Sequence, residues 1–190
     1  MKLKVNPPYK PLVQMHVCCG VCSFLWVLHR RGYWIDQEEI AQACNLYILK
    51  KTANLFKLKM KITKSAKKEG VNFDKFHKDA NKLLKKKKIP LKMEKYSISQ
   101  IEDPKKFIIK HLKSGEDVMV NFACKALQLT CPSAHICVIA EFDTKNNILT
   151  LGDSSWTRPK YWKVKLDKMV KAMDKKHDGR ERGFWVISEK

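Results

Sequence analysis

Gln14-Met15-His16-Val17-Cys18-Cys19-Gly20-Val21-Cys22-Ser23-Phe24-Leu25-Trp26-Val27-Leu28 is the stretch on which the reading of this chain turns. Val21, Phe24, Leu25 and Leu28 recur at offsets of three and four, the spacing of one buried helix face, so a helix starts at or beside Cys19. A thiol at a helix N-terminus has a chemical use: unpaired N–H groups and the positive end of the dipole lower its pKa, and the thiolate is the nucleophile. Gln14, upstream of Cys19, can bring its side-chain amide to the same place. Together with the Cys19 backbone N–H it would donate to a developing oxyanion.

A cysteine nucleophile needs a histidine base and a residue that orients it, and both must come later in the chain. His135 opens the β-rich run His-Ile-Cys-Val-Ile-Ala-Glu-Phe-Asp143, Ile148 to Asp153 is a second such run, and Thr144-Lys-Asn-Asn147 reads as the hairpin turn between them. A hairpin returns the end of its second strand to the start of its first, which makes His135 and Asp153 neighbours. The catalytic candidates, in chain order, are Gln14, Cys19, His135 and Asp153.

In these residues the chain resembles the phytochelatin synthases, a branch of the papain-like cysteine peptidases. Cys19-Gly20 with Ser23 is similar to that family's Cys-Gly-x-x-Ser at the nucleophile, and the spacing of His135 to Asp153 is the family's. Val120-Asn-Phe122 with Lys125, Leu127 and Thr130 is similar to the approach to its histidine. Lys160-Tyr-Trp162, Leu166, Ala172-Met173 and Arg182-Gly-Phe184 follow its closing pattern. The resemblance runs from about Gln14 to Ser188. It implies that Cys19 attacks the Cys-Gly bond of glutathione, releases glycine, and passes the γ-glutamylcysteinyl thioester to water or to a second glutathione. It further implies that Arg182 holds the γ-glutamyl carboxylate, with Asp174 or Asp178 on the α-amino group, and that a heavy metal such as cadmium acts through a metal-thiolate substrate, with no protein-bound cofactor. Mainly hydrolysis is expected, because the Cys-rich C-terminal region of plant-type members is missing. Pro132-Ser-Ala134 stands where the family has glycines, so the acyl pocket differs there.

With 190 residues, 44% of them hydrophobic and 31% charged, the expectation is one catalytic domain over 1–190, its first twelve residues an extended arm punctuated by Pro7, Pro8 and Pro11. Seven cysteines are odd in number and too few for a disulfide scaffold, no signal-peptide pattern precedes them, and no stretch is apolar enough for a membrane span. A reduced cytoplasmic setting is therefore expected, with Cys22, Cys44, Cys124 and Cys137 as buried small hydrophobes. The net charge of +20, mostly lysine, permits non-specific polyanion binding and would also draw an anionic peptide toward the cleft. A homodimer is compatible with this reading. Two rival readings stay open: a papain-like peptidase or isopeptidase on another substrate, and a basic protein that binds polyanions or nucleic acid, or else zinc, the zinc or redox site being built on Cys19-x-x-Cys22 with His16 and completed by Cys131, His135 and Cys137.

Along the chain, helices are expected from Cys19 to about Arg31, from Asp36 through Cys44, over 72–88, over Lys105–Lys113 and about Leu166–Met173. Strands are expected at Leu91–Tyr96, about 118–122, 135–142, 148–152, Tyr161–Val164 and Gly183–Ser188. Residues 45–69 read either as one long helix or as two short pieces. Helices first and antiparallel strands second is an α+β order, with the nucleophile helix of the N-terminal half packed against a sheet from the C-terminal half, the papain-like layout.

Overall fold

The computed structural model describes residues 1–131, 134–177 and 179–190. Its elements run β1 (Lys2–Lys4), α1 (Cys19–Arg30), α2 (Gln37–Ala43), β2 (Tyr47–Leu49), β3 (Lys61–Thr63), α3 (Phe76–Lys86) and β4 (Leu91–Ser97). They continue as α4 (Pro104–Lys113), β5 (Asp117–Ala123), β6 (Ala134–Asp143), β7 (Ile148–Gly152), β8 (Tyr161–Lys165), α5 (Leu166–Ala172) and β9 (Gly183–Glu189). This is the expected α+β, papain-like layout. One sheet in the order β4-β9-β5-β6-β7-β8 carries the fold, all of these neighbours antiparallel.

The ten-residue β6 joins two pairings. Its first half lies against β5, with Phe122 opposite His135, and its last three residues take β1 as partner, Leu3 opposite Phe142. The N-terminal arm is thus a sheet edge, tied on again by the Val5 N–H to the Ala140 carbonyl at 3.0 Å.

Both faces of the sheet are covered, which is why β5 is buried along its whole length where a strand open to solvent on one face would alternate. On one face Met119, Ile136, Val138, Trp185 and Ile187 meet α1, α2 and α3. On the other, Val120, Phe122, Cys137, Ile139, Leu151 and Phe184 meet α4 and α5 through Ile108, Leu112, Met169 and Ala172. Helix α1 is apolar all round, Gly20 to Leu28 being buried, so it is a core helix wedged between the sheet and α2. Phe24 meets Phe76 edge-on at 6.2 Å and Phe76 meets Trp185 at 5.3 Å, which joins α1, α3 and β9.

The C-terminal end of α1 is clamped by charge. Asp117, fully buried at the start of β5, accepts Arg30 Nε at 2.7 Å, Arg31 Nε at 2.6 Å and the Tyr9 hydroxyl at 2.7 Å. Removing the carboxylate leaves the nearly buried Arg30 guanidinium without a counter-ion and Arg31 with only the exposed Glu189, at 3.2 Å. Asp117→Ala is expected to destabilise the protein by about 3–5 kcal/mol, seen as a lower denaturation midpoint in urea.

Two sequence expectations are corrected. Residues 45–69 are neither one helix nor two: they hold the parallel pair β2 and β3, with short 3-10 turns at Lys50–Leu55 and Ala66–Lys68. Leu46, Ile48, Phe56 and Met60, apolar anchors of this region, are buried against the α1 side of the core. The third helix starts at Phe76 instead of residue 72, because the Asn72 side chain accepts from the Asp74 and Lys75 N–H groups and closes a separate turn first.

Candidate active site

Cys19 is the first residue of α1. Cys18, the residue before it, gives no side-chain cap, so the donors of the first turn are left to the site. Gly20 is required by packing: a Cβ there would come within 2.8 Å of Ile136 Cδ1 and 2.9 Å of Val71 Cγ2. The helix start therefore lies directly against the strand that carries the histidine. Ser23, the last residue of Cys-Gly-x-x-Ser, is buried one turn on and donates to the Ile136 carbonyl at 3.0 Å. These two contacts set the separation of Cys19 and His135.

His135, buried at the start of β6, bonds Asp153 through Nε2 at 2.7 Å to Oδ1. That commits Nε2 to the carboxylate and leaves Nδ1 for the thiol. Asp153, which directly follows β7, is saturated. Its Oδ1 also accepts the Ser155 N–H at 2.8 Å, and its Oδ2 accepts Arg158 Nε at 2.8 Å and Trp162 Nε1 at 2.9 Å. Burial alone would raise the Asp153 pKa, but the bonds from His135, Arg158 and Ser155 hold it well below the usual carboxylate range.

The thiol and the imidazole shift toward an ion pair. Burial works against the Cys19 thiolate, yet the hydrogen bond and charge of His135 and the backbone N–H groups of Ile136 and Gly20 lower its pKa. Burial likewise works against imidazolium, but the Cys137 sulfur, Asp153 and Cys19 hold His135 well above an ordinary histidine. Cys137, two residues along β6, has its thiol pushed up to about 12 by burial.

Gln14 is placed from both sides. Its N–H donates to the Ser154 carbonyl at 2.9 Å, and its Oε1 accepts the Ser154 hydroxyl at 3.0 Å, which leaves the amide nitrogen as the donor end. The Trp26 indole donates to the Leu12 carbonyl at 3.1 Å, and Gln37 brackets the segment through the Met15 N–H at 2.7 Å.

The structure thus brings Cys19, His135 and Asp153 together, with Gln14 held beside Asp153 through Ser154. Arg182 is buried just before β9, at the same end of the sheet as His135 but two strands across β5. Its side chain donates to the Arg180 carbonyl at 3.0 Å. Asp174 is held in a local turn, accepting the Lys176 N–H at 2.9 Å and pairing with its ammonium at 3.8 Å. Asp178, Pro132 and Ser133 lie outside the described residues.

Sequence reasoning missed Ser154, Arg158 and Cys137 as parts of this arrangement. Trp162 stands in the sequence only as part of the closing pattern, and its indole is a donor to Asp153. Ser154 carries no local signal, since its bond to Gln14 spans 140 positions, and Arg158 reaches Asp153 only through the turn that follows β7.

Of the zinc reading, His16 faces Glu69 at 3.4 Å, and Cys131 is paired with Cys124 in a disulfide, so neither joins Cys19 and Cys22. Cys124 is buried, as expected of a small hydrophobe, and is paired besides. Cys22, Cys44 and Cys137 are buried free cysteines, as expected. Among the described residues, His135, Cys137 and Asp153 could in principle hold a metal, their donor atoms lying within 4.8 Å of one another. Both Asp153 oxygens already take two donors each, so the set suits an oriented imidazole better than an ion. No helix among the described residues is long and apolar enough to cross a membrane.

Comparison with known proteins finds no match among curated proteins. Among solved structures, the chain is similar to the crystal structure of a protein assigned as a C39-like peptidase from Bacillus anthracis. The TM-score is 0.66 and the identity 13%, over 100% of this chain and 98% of that one. A double glycine motif protease from an AMS/PCAT transporter, in complex with its leader peptide, superposes with a TM-score of 0.48 at 12% identity, over 98% and 96% of the two chains. The sequence pattern of the Peptidase_C39 like family matches residues 7–177, and to that family of cysteine peptidases the chain belongs.

Proposed function

We propose that the protein is a cysteine peptidase that cleaves a peptide bond through a thioester on Cys19. The observation that carries the reading is the His135 to Asp153 bond of 2.7 Å, with the imidazole's other nitrogen left for a thiol at the N-terminus of α1. The Cys19 thiolate attacks the scissile carbonyl carbon, and negative charge develops on the carbonyl oxygen. The Gln14 amide and the Cys19 backbone N–H donate to that oxygen. Imidazolium His135 then protonates the leaving amine as the C–N bond breaks. The neutral imidazole next takes a proton from water, which attacks the thioester and frees the new carboxylate. Asp153 keeps the ring in one orientation throughout and is itself held by Arg158 and Trp162.

Gln14→Ala is expected to fold, because the main-chain bond to Ser154 persists, and to lower kcat by about 10²–10³-fold with a smaller change in KM. Steady-state kinetics on any cleaved peptide checks it.

The narrower reading is that the peptide is glutathione, with a thiophilic metal ion entering as part of the substrate. It is supported by the sequence resemblance and by the buried Arg182 at the histidine end of the sheet. The family match does not extend to it, and Asp174 is engaged in its own turn. The broader peptidase reading therefore has the stronger support. The lysine-rich surface would attract acidic segments of a substrate.

The test is mass spectrometry of an unblocked peptide mixture and, separately, of glutathione, each incubated with the wild type and with Cys19→Ala. New peptide termini made only by the wild type support the peptidase reading. Glycine released from glutathione with the peptides untouched moves the assignment to the narrower one. No cleavage in either arm overturns both.

A further inference from the structure

The peptidase chemistry uses one thiol of Cys19-Gly20-Val21-Cys22 and leaves the other unexplained. Cys19 opens α1 and keeps part of its surface exposed, whereas Cys22 lies one turn on and is fully buried. Three residues along an α-helix separate the two Cα atoms by about 5 Å. That is inside the roughly 4.4–6.8 Å of Cα separation that a disulfide spans, but Cβ atoms at this spacing stand about 5–6 Å apart against the bridge's roughly 3.5–4.5 Å, so closure takes a shift of the first turn of α1, which Cys18 leaves without a side-chain cap. The Cys22 thiol donates to the Leu12 carbonyl at 3.9 Å, with the Ser154 hydroxyl and the Trp26 indole close beside it. It is therefore a fixed group behind the nucleophile, on the segment that carries Gln14.

We propose that Cys19 and Cys22 form a reversible oxidation site for small hydroperoxides, closing to a disulfide that takes the nucleophile out of use. The proposal rests on Cys19 being the reactive thiolate and not on what the peptidase cleaves. In the first step the Cys19 sulfur attacks the terminal peroxide oxygen. The S–O bond forms, the O–O bond breaks, hydroxide or alkoxide leaves, and Cys19 becomes a sulfenic acid. In the second, the Cys22 sulfur attacks the Cys19 sulfur. The S–S bond forms, the S–O bond breaks, and the hydroxyl leaves as water with the Cys22 proton. Two electrons pass from the two sulfurs to the peroxide, and an external dithiol returns them.

The environments of the two thiols fit these roles. Burial pushes Cys22 up to about 12, which keeps it protonated and unreactive toward solvent, while His135 and backbone N–H groups lower Cys19 against its own burial. The other nearby thiols are worse placed. Cys18 is fully buried and adjacent to Cys19, so pairing them would close a ring through a single peptide unit. Cys137 belongs to β6 and sits against His135 and Asp153.

Full-length protein is treated with hydrogen peroxide and read by intact mass, alkylatable-thiol count and reactivation by dithiothreitol. No lysine or arginine separates Cys18, Cys19 and Cys22, so the pairing is assigned with the Cys18→Ser, Cys19→Ser and Cys22→Ser variants. The expected result is a loss of about 2 Da and of two alkylatable thiols in the wild type and in Cys18→Ser, reversed by dithiothreitol. In Cys22→Ser that loss is absent, and Cys19 instead gains oxygen that dithiothreitol does not fully remove. Persistence of the disulfide in Cys22→Ser, its disappearance in Cys18→Ser, or a Cys19 to Cys137 linkage would overturn the proposal. So would a wild type that gains only oxygen. These mass readouts do not depend on peptide cleavage, so they stand even if the peptidase reading fails.

Discussion

Cys19→Ala is expected to lower kcat by on the order of 10⁵-fold or more, leaving the fold and substrate binding in place. The side chain is half-buried at the start of a helix whose anchoring comes from elsewhere. Ser23 bonds the Ile136 carbonyl, Gly20 lies against Ile136 and Val71, and Phe24 meets Phe76 edge-on. Alanine keeps the helix start and removes only the sulfur. Circular dichroism and a urea midpoint close to wild type, with turnover at background, are the expected pair of observations. A variant that retained a tenth of wild-type turnover would place the nucleophile elsewhere.

His135→Ala is expected to cost on the order of 10⁴–10⁶-fold in kcat, because the imidazole serves twice, as counter-ion to the thiolate and as the acid for the leaving amine. Its loss also changes the Cys19 titration. The hydrogen bond and the charge of His135 are the foremost causes that lower the thiol's pKa, so in the variant burial dominates and the pKa rises.

The pH dependence follows in the same way. The thiolate and imidazolium coexist above the lowered Cys19 pKa and below the raised His135 pKa. Activity thus falls on the acid side as the thiolate is protonated and on the alkaline side as the imidazolium is lost. Asp153→Asn removes a carboxylate that raises His135, so its alkaline limb moves to lower pH while the acid limb moves less. Rate profiles of the wild type and this variant check the sign. An unmoved alkaline limb would detach Asp153 from the imidazole.

What could be read in the chain beforehand was whatever is encoded locally. The start of α1 was visible from Val21, Phe24, Leu25 and Leu28, and the α2 start from Asp36, whose carboxylate does accept the Glu38 N–H at 2.8 Å. His135 and Asp153 were legible because a short hairpin connects them, so sequence separation and spatial separation are linked by strand register. Residues 45–69 were not legible. β2 and β3 are three residues each and pair in parallel across an intervening turn, so neither alternation nor helical period has length to show itself. The supports of the site were hidden for a different reason. Arg158 reaches back to Asp153, Ser154 reaches Gln14 across 140 positions, and Cys124 meets Cys131 only because the chain turns between them. These are products of the fold, not of any pattern along the chain.

The central claim is that Cys19 is held as a thiolate by His135 at the N-terminus of α1. The most direct measurement is the rate of Cys19 alkylation by iodoacetamide as a function of pH, read by mass spectrometry in the wild type and in His135→Ala. A wild-type midpoint below the roughly 8.5 of an ordinary thiol is predicted, with a higher midpoint in His135→Ala. A wild-type midpoint at or above the ordinary value, or the same midpoint in both proteins, would contradict it.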